Sequence, residues 1–402
     1  MSTSNPGTSV SRTRRAVLGA LGAAALAAAS GPAAAQESVK IGLILPMTGA
    51  SASTGKQAEA GAKLWIQQNG ATVAGKKVEL IVKDDTGAPD VTKRLAQELV
   101  VNDKVNVLMG FGLTPLALAV APIATQAKIP QIVTAAATAI ITEQSPFIVR
   151  TSFTLPQATV PMAEWSAKNG VKKVVTLVSD YGPGIDAEKA FKEAFSKAGG
   201  EVTAELRVPL RNPDFAPFLQ RVKDSAPDAV FVFLPSGFGA TFMKQYAERG
   251  LTQAGIKLIA TGDVLDDDLL NEIGDSALGV VNTHHYSASH DSPENKAFVE
   301  AFKKANNFRP NFMAVGAYDG MQLVYKALEK TKGSTDGQAL LDAMKGMSWT
   351  SVRGPVQIDP ETRDIIQNIY VRKVEKVGGE LFNQEFATIE KVKDPVKAAK
   401  KQ

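Results

Sequence analysis

Short apolar runs of strand length alternate with longer amphipathic stretches from Ser38 onward, and this alternation limits the fold more than any other feature of the 402-residue chain. Residues 39–45 and 78–84 have the character of buried strands, whereas the stretch 55–69 between them carries apolar residues at helical spacing. Strands that alternate with helices form a parallel sheet with helices on both faces. The pattern therefore predicts an α/β fold.

The same rhythm restarts after a strand predicted at residues 147–152, which indicates a second lobe of similar size. Two later helices, 293–306 and 313–330, exceed what the second series needs and would complete the first. The sequence thus predicts two doubly wound parallel-sheet lobes joined by three hinge crossings, with a cleft between them.

The predicted lobes are each built from two segments of the chain. The N-terminal lobe comprises residues 36–153 plus 285–356, and the C-terminal lobe comprises residues 154–284 plus 357–402. The three crossings are predicted near residues 150–155, 281–287 and 354–362.

Residues 1–35 have the features of an export signal rather than of a folded domain. Arg14 and Arg15 precede an alanine-rich stretch, and small residues at Ala33 and Ala35 suit a signal peptidase. The arginine pair resembles a twin-arginine signal, while Val17 in place of its usual aromatic residue leaves the general secretory route open. We expect a soluble protein in the periplasm of a bacterium.

Composition excludes several classes of function. The chain has no Cys, which removes disulfides, thiol nucleophiles and thiolate metal sites, and it has only three His. Its formal charge is +4, but Arg12, Arg14 and Arg15 lie in the predicted signal. Without them 42 basic side chains face 41 acidic ones, so we expect no nucleic-acid partner.

Several segments of the chain come close to catalytic and cofactor-binding motifs but lack a required residue or spacing. Residues 49–56 are one residue too long for a phosphate loop and are followed by Gln57, and Pro115 occupies the third glycine position of a dinucleotide fingerprint. Neither Ser236 nor Ser276 has glycine two residues away on both sides, as a nucleophile elbow requires. We expect no cofactor and no catalysis.

Two polar clusters are interpreted as structural. His284 and His285 are adjacent on a predicted strand and should point to opposite faces, so they should not chelate one metal ion with His290. The acidic run 266–268 lacks the spacing of a calcium loop and is expected to cap the helix beginning at Leu269. No metal site is predicted.

Other polar residues follow predicted strands at the points where helices begin. In an open parallel sheet these carboxyl ends line the ligand crevice, and the exposed N–H groups there bind anions. A threonine there also serves as a helix cap, and a tyrosine beside glycine and proline also closes a turn. The candidate ligand-binding residues are Thr114, Ala136, Thr138, Tyr181, Ser236 and Asp263.

The mature chain resembles the periplasmic substrate-binding proteins of ABC importers, in the branch named for leucine, isoleucine and valine binding. The segments that carry the resemblance are VKIGLILPMTGASASTGKQAEAGAKL, VELIVKDDTGAPDVTKRLAQELV, IVTAAATA, FIVRTSF, GAYDGMQLV and GPVQID. The resemblance implies that Thr114, Ala136 and Thr138 hold a ligand carboxylate. It also implies that Tyr181 covers the ligand and that Tyr318 lies near the hinge-side helix.

The chain departs from this family at positions that affect the ligand. Thr154 stands where amino-acid binders usually place an aspartate for the ligand ammonium, and Thr54 replaces a common aromatic residue. Asp263 matches a second acidic position of the family. Two hypotheses follow: the ligand is a carboxylate without an α-amino group, such as an aromatic acid beside Tyr181 and Phe111, or an amino acid held by Asp263.

The resemblance implies a monomer that closes its lobes around a small carboxylate and delivers it to an ABC permease in the inner membrane. Closure would follow because a ligand that bridges both lobes binds the closed form better. A sensory module that presents ligand to a histidine kinase or chemoreceptor is an alternative, since its capture step is identical. An exported enzyme on the same architecture is a further alternative.

The export signal makes a direct prediction about the mature protein. Cleavage after Ala35 should leave Gln36 as the first residue. Mass spectrometry of the exported protein checks this, and an intact N-terminus retained in the membrane would contradict it.

Overall fold

A computed structural model describes residues 1–5 and 37–400 of the chain. The predicted signal segment lies outside the described residues except for its first five. Among the helices described, none is both long and apolar enough to cross a membrane.

The first sheet is a six-stranded parallel sheet with one short antiparallel edge strand. The strands occur in the order β2–β3–β1–β4–β5–β6. Ile41, at the centre, pairs with Leu80 on one side and Val107 on the other, and is fully buried. The strands are β1 Ser38–Leu45, β2 Thr72–Val73, β3 Lys76–Asp84, β4 Val107–Gly110, β5 Gln131–Val133 and β6 Ile148–Arg150. The helices between them are α1 Ala52–Asn69, α2 Pro89–Val101 and α3 Thr114–Ala127.

The second sheet is mixed and has nine strands within the described residues. Its parallel part has the order β11–β10–β9–β7–β8, and antiparallel strands extend it beyond β11. The parallel strands are β7 Lys173–Ser179, β8 Glu201–Val208, β9 Ala229–Phe233, β10 Lys257–Thr261 and β11 Val281–His284. The helices between them are α4 Leu155–Lys168, which precedes β7, α5 Gly182–Lys197, α6 Ala216–Ser225, α7 Gly239–Glu248 and α8 Leu270–Ile273.

The helices after β11 return to the first sheet. They are α9 Pro293–Asn306, α10 Phe312–Lys330 and α11 Gly337–Met344. Helix α10 packs closely on α1, where a Cβ added to Gly61 would lie 2.1 Å from the carbonyl oxygen of Ala314. Only glycine permits this approach, and it lets α10 cover the core around Leu43 and Met109.

The C-terminal part forms two antiparallel hairpins that the sequence analysis did not predict. They consist of β12 Ser348–Ser351, β13 Gly354–Ile358, β14 Ile365–Val377 and β15 Glu380–Val392, followed by α12 Pro395–Ala399. The basic composition of residues 391–402 predicts a low-complexity tail, and the structure shows that this prediction is partly wrong. Lys391 and Val392 complete β15, and Lys397 is buried with its ammonium group bonded to Asp364 and Thr142.

The predicted fold class, two doubly wound lobes in an α/β chain, is confirmed. The strands predicted at residues 39–45 and 78–84 lie within β1 and β3 of the structure. The lobe boundaries remain a prediction, because the hairpin β12–β13 pairs with the second sheet while Trp349 and Val356 pack against the core of the first.

Three buried arginines bind the segments that pass between the lobes. Arg353 donates to the carbonyl oxygens of Thr151 and Ser152, and its Nη2 lies 2.9 Å from Asp319 Oδ2. Arg150 donates to the carbonyl oxygen of Phe153, and its Nε lies 3.1 Å from Asp364 Oδ1.

Arg372 binds the second crossing segment, predicted near residues 281–287, in the same way. It donates to the carbonyl oxygen of Tyr286 and to Asn282 Oδ1, with Asp267 Oδ2 3.9 Å away. Each guanidinium thus has a carboxylate close by and backbone acceptors on a crossing segment, which a buried cation needs to offset its lost hydration.

The arrangement of His284 and His285 differs from the sequence prediction. The rings do not point to opposite faces; their centroids are 4.3 Å apart, and both side chains are fully buried against Phe153 and Phe312. The reason is that β11 ends at His284, so His285 no longer obeys the two-residue alternation of a strand.

We predict that breaking the Arg353–Asp319 pair strongly destabilises the fold. Arg353→Met leaves the fully buried Asp319 carboxylate without its cation and should lower the free energy of unfolding by about 3–5 kcal/mol, measured by urea denaturation. The double variant Arg353→Met/Asp319→Leu should lose less than the sum of the two single changes. Lys296→Met, at an exposed ion pair with Asp291, is the control and should leave stability unchanged. Additive losses would contradict the pairing.

Candidate functional site

A small, nearly closed cavity lies between the two lobes, at the carboxyl ends of both parallel sheets. Strands β4 and β5 lead into it from the first sheet, and β7, β9 and β10 lead into it from the second. The lining residues are Ser51, Thr54, Gly112, Leu113, Thr114, Ala135, Ala136, Ala137, Leu155, Tyr181, Pro183, Phe233, Pro235, Ser236, Asp263 and Met313.

The first lobe contributes a pair of hydroxyl groups. Thr114 is the first residue of α3, and its Oγ1 lies 2.7 Å from Oγ1 of Thr138. Arg150 donates through Nη2 to the carbonyl oxygen of Thr138 at 2.7 Å, so the buried hinge arginine fixes the loop that carries this hydroxyl. Both threonines are buried, and because one hydroxyl donates to the other, the pair has one proton left to donate to a ligand.

Two helix N-termini converge on this hydroxyl pair. Helix α3 begins at Thr114, and helix α5 of the second lobe begins at Gly182. A Cβ added to Gly182 would lie 2.7 Å from Oγ1 of Thr138, so glycine allows the α5 terminus to approach the other lobe closely. The positive ends of both helices favour an anionic group beside the two hydroxyls.

The second lobe contributes an aromatic wall. Tyr181 and Phe233 are stacked, with ring centroids 6.2 Å apart and an interplanar angle of 18°. Leu155 and Met313 complete an apolar surface around the same cavity. Burial, together with the negative charge of Asp263, raises the pKa of Tyr181 well above its ordinary value, so its phenol stays protonated.

Asp263 supplies a carboxylate from the second lobe. It lies in a 3₁₀ turn, Gly262–Leu265, directly after β10, and is 4% exposed. Its Oδ2 lies 3.5 Å from Nε2 of His284 and has no hydrogen bond from any residue in the described ranges. A buried carboxylate oxygen without a donor is a strong recognition group for a ligand.

Ser236 is held by Asp266, which determines the hydrogen-bonding group that Ser236 can offer to a ligand. Its Oγ donates to Asp266 Oδ1 at 3.0 Å, and the N–H of Gly237 donates to Oδ2 of the same carboxylate at 3.1 Å. The hydroxyl proton is engaged, so Ser236 presents oxygen lone pairs rather than a donor to the cavity.

The acidic run 266–268 does not cap the following helix, contrary to the sequence prediction. Asp267 accepts from Asn383, and Asp268 accepts from Asn311 and Ser53, while no side chain caps α8. The three carboxylates diverge to hold three different segments. Burial raises the pKa of Asp267 to about 6, although Arg372 opposes the shift.

Five of the candidate residues line the cavity, and Thr138 reaches it through its contact with Thr114. The lining candidates are Thr114, Ala136, Tyr181, Ser236 and Asp263. Ala136 forms wall rather than a donor, because its N–H already donates to the carbonyl oxygen of Phe111.

Three candidates lie outside the cavity lining. Phe111 is fully buried in the core of the first lobe. Thr154 is buried at the start of α4, where its N–H donates to Gln157 Oε1. Tyr318 packs its ring on Trp65 and Phe298 and donates its hydroxyl to Gln68, so it does not face the cleft.

The apolar lining is not among the residues predicted from the sequence. Phe233 ends β9 and Pro235 follows it, so the rule that strand carboxyl ends line the crevice would have identified both. Leu155 and Met313 carry no such signal, because they lie in the first turns of helices and not at the ends of strands.

Comparison with known proteins agrees with this geometry. A family model described as periplasmic binding protein matches residues 38–379. A solute-binding protein of an ABC transporter from Rhodopseudomonas palustris BisB5, solved in complex with 3,4-dihydroxybenzoic acid, is 65% identical, with a TM-score of 0.89 over 90% of this chain and 99% of that one.

Two further relatives have lower identity. A solute-binding protein of an ABC transporter from Rhodopseudomonas palustris HaA2, in complex with p-hydroxybenzoic acid, is 46% identical, with a TM-score of 0.88 over 90% of this chain and all of that one. The Leu/Ile/Val-binding protein homolog 6 of Brucella abortus is 48% identical over 94% of this chain and 98% of its own length. The match of the family model over most of the chain confirms the resemblance found in the sequence: the chain belongs to the periplasmic binding protein family.

Proposed function

We propose that the chain is the solute-binding component of an ABC transporter and that it captures a small aromatic carboxylate between its lobes. The relatives named above support this, since two of them are ABC solute-binding proteins in complex with hydroxylated benzoic acids. The observation that carries the proposal is the combination of the Thr114–Thr138 hydroxyl pair with the Tyr181–Phe233 wall in one cavity.

The hydroxyl pair and the helix termini match a carboxylate. The Thr114–Thr138 pair offers a neutral hydroxyl donor, and hydrogen bonds to an ionised acceptor are shorter and stronger than those between neutral groups. No cation lines the cavity within the part of the chain described. The charge of a bound carboxylate is therefore balanced by these hydroxyls and by the positive ends of α3 and α5.

The remaining lining matches a flat apolar body. Tyr181 and Phe233 present aromatic surface, and Leu155 and Met313 add aliphatic surface. An aromatic ring against this wall gains from the removal of apolar area from water and from favourable ring geometry. A branched aliphatic side chain gains only the first of these contributions.

Capture follows from the division of the site between lobes. The carboxylate anchors belong to the first lobe and the aromatic wall mainly to the second, so a ligand that touches both binds the closed form better than the open one. The ligand thereby shifts the population toward closure. This step requires no bond to be made or broken, and the protein acts as a monomeric binder rather than an enzyme.

An amino-acid ligand is the second candidate. The Brucella relative is named a Leu/Ile/Val-binding protein homolog, and Asp263 offers a carboxylate to an ammonium group. Thr154 does not support this candidate, because it is buried at the start of α4 and contributes no acid to the cavity. Asp263 would have to balance a buried ammonium without a second acid from that position.

The partner and location follow from the family and the predicted export signal. We infer that the protein works in the periplasm and that its closed form docks on an inner-membrane permease. Presentation of the ligand to a kinase or chemoreceptor remains the alternative, and a binding assay with purified permease in vesicles distinguishes the two.

We predict that aromatic acids stabilise the protein and that Thr114 is needed for this. At 100 times its dissociation constant, 4-hydroxybenzoate should add about 2.7 kcal/mol to the free energy of unfolding, seen as a rise in Tm. Thr114→Val should weaken binding about 10- to 100-fold, because it removes a hydrogen bond to a charged group. Thr350→Val, an equivalent change at an exposed strand position, is the matched control. Stabilisation by leucine and by no aromatic acid would refute the proposal.

A further inference from the structure

The buried carboxylate of Asp263 lines the cavity, and within the described ranges its Oδ2 has no donor nearer than Nε2 of His284, 3.5 Å away. Burial of an ionised carboxylate is costly unless donors replace the lost water. A ligand that offers a donor removes this cost, whereas a ligand with only C–H groups at that point leaves it in place. Asp263 is therefore placed to discriminate between ligands.

His284 lies directly behind Asp263 and is held rigidly. Its ring packs against Phe312, with centroids 4.2 Å apart, and against Phe153 at 4.8 Å. Its Nε2 is 3.5 Å from Asp263 Oδ2, and the structure records no closer partner for that nitrogen. The imidazole can donate to the carboxylate and orient it toward the cavity.

The charge of Asp263 is partly opposed by Arg372, on which Asp267 acts more strongly. The Arg372 guanidinium lies beneath Gly262, where an added Cβ would come 2.0 Å from Nη2. The negative charge of Asp263 is among those that act on Arg372. Burial lowers the pKa of His284 to about 4, so this imidazole is neutral at neutral pH and adds no second cation.

These contacts determine what kind of donor Asp263 requires. Because Arg372 supplies a positive charge from below, a neutral hydroxyl is sufficient and an ammonium is not needed. Thr114 and Thr138 come from the first lobe and Asp263 from the second, so a ligand that bridges them carries its carboxylate and its donor at separate positions.

We propose that Asp263, positioned by His284, selects aromatic acids that carry a ring hydroxyl over aromatic acids that carry none. This inference rests on the proposed function and adds a specificity element to it. The hydroxyl donates to the carboxylate of Asp263, which becomes fully bonded when the lobes close. Benzoate fits the apolar wall equally well but leaves the carboxylate buried and short of a donor, so it binds more weakly.

The first test measures the dissociation constants of 4-hydroxybenzoate and benzoate by titration calorimetry. The protein should prefer 4-hydroxybenzoate by about 100-fold or more. Asp263→Leu should remove the preference, mainly by strengthening benzoate binding, and Asp263→Asn should reduce it to about 10-fold or less. Asp275→Asn, at an exposed aspartate, is the matched control and should leave the preference unchanged.

The second test separates positioning from packing. His284→Phe keeps an aromatic ring but removes the donor, and should reduce the preference about tenfold while benzoate affinity is retained. His284→Gln restores a donor and should recover most of the preference. Retained benzoate affinity shows that a variant is folded, so loss of discrimination is not confused with unfolding.

The possible outcomes have distinct meanings. Equal affinity of the wild-type protein for the two acids overturns this inference and leaves the proposed function intact. Binding of leucine with no binding of either acid overturns the proposed function. A preference that survives in Asp263→Leu shows that another group recognises the hydroxyl and also overturns the inference.

Discussion

The architecture depends on buried arginines that bind the chain where it passes between the lobes. Arg150, Arg353 and Arg372 are at most 2% exposed, and each donates to backbone carbonyl oxygens of a crossing segment. Exposed contacts between the three crossing segments would contribute little stability, because water competes for the same hydrogen bonds. A buried guanidinium instead needs every acceptor around it, so these contacts keep the crossings together.

The same arginines connect the hinge to the binding cavity. Arg150 holds the carbonyl oxygen of Thr138, a residue of the hydroxyl pair, and Arg372 lies beneath Gly262, next to Asp263. One lobe's anchor and the other lobe's carboxylate are therefore supported by groups that also fix the crossings. This shared support gives a physical reason why occupancy of the cavity and the angle between the lobes should change together.

The sequence predicted the parallel strands and the strand ends that line the crevice, because apolar periodicity and chain direction determine both. It did not predict β14, in which Arg372 and Lys373 interrupt the apolar pattern; the arginine is buried for a reason that only the hinge supplies. Phe111 was expected beside an aromatic ligand, and Tyr318 was expected near the hinge-side helix from the family resemblance. Their orientation depends on packing against the core and against Trp65, which no local pattern encodes.

Small-angle X-ray scattering of the protein with and without saturating 4-hydroxybenzoate tests the central claim most directly. In the structure the lobes already meet, with the N–H of Ala139 donating to Asp186 at 2.8 Å across the cleft. If the ligand is captured by closure, the free protein should show a larger radius of gyration than the bound one. Identical scattering curves for free and saturated protein would contradict capture by closure of two lobes.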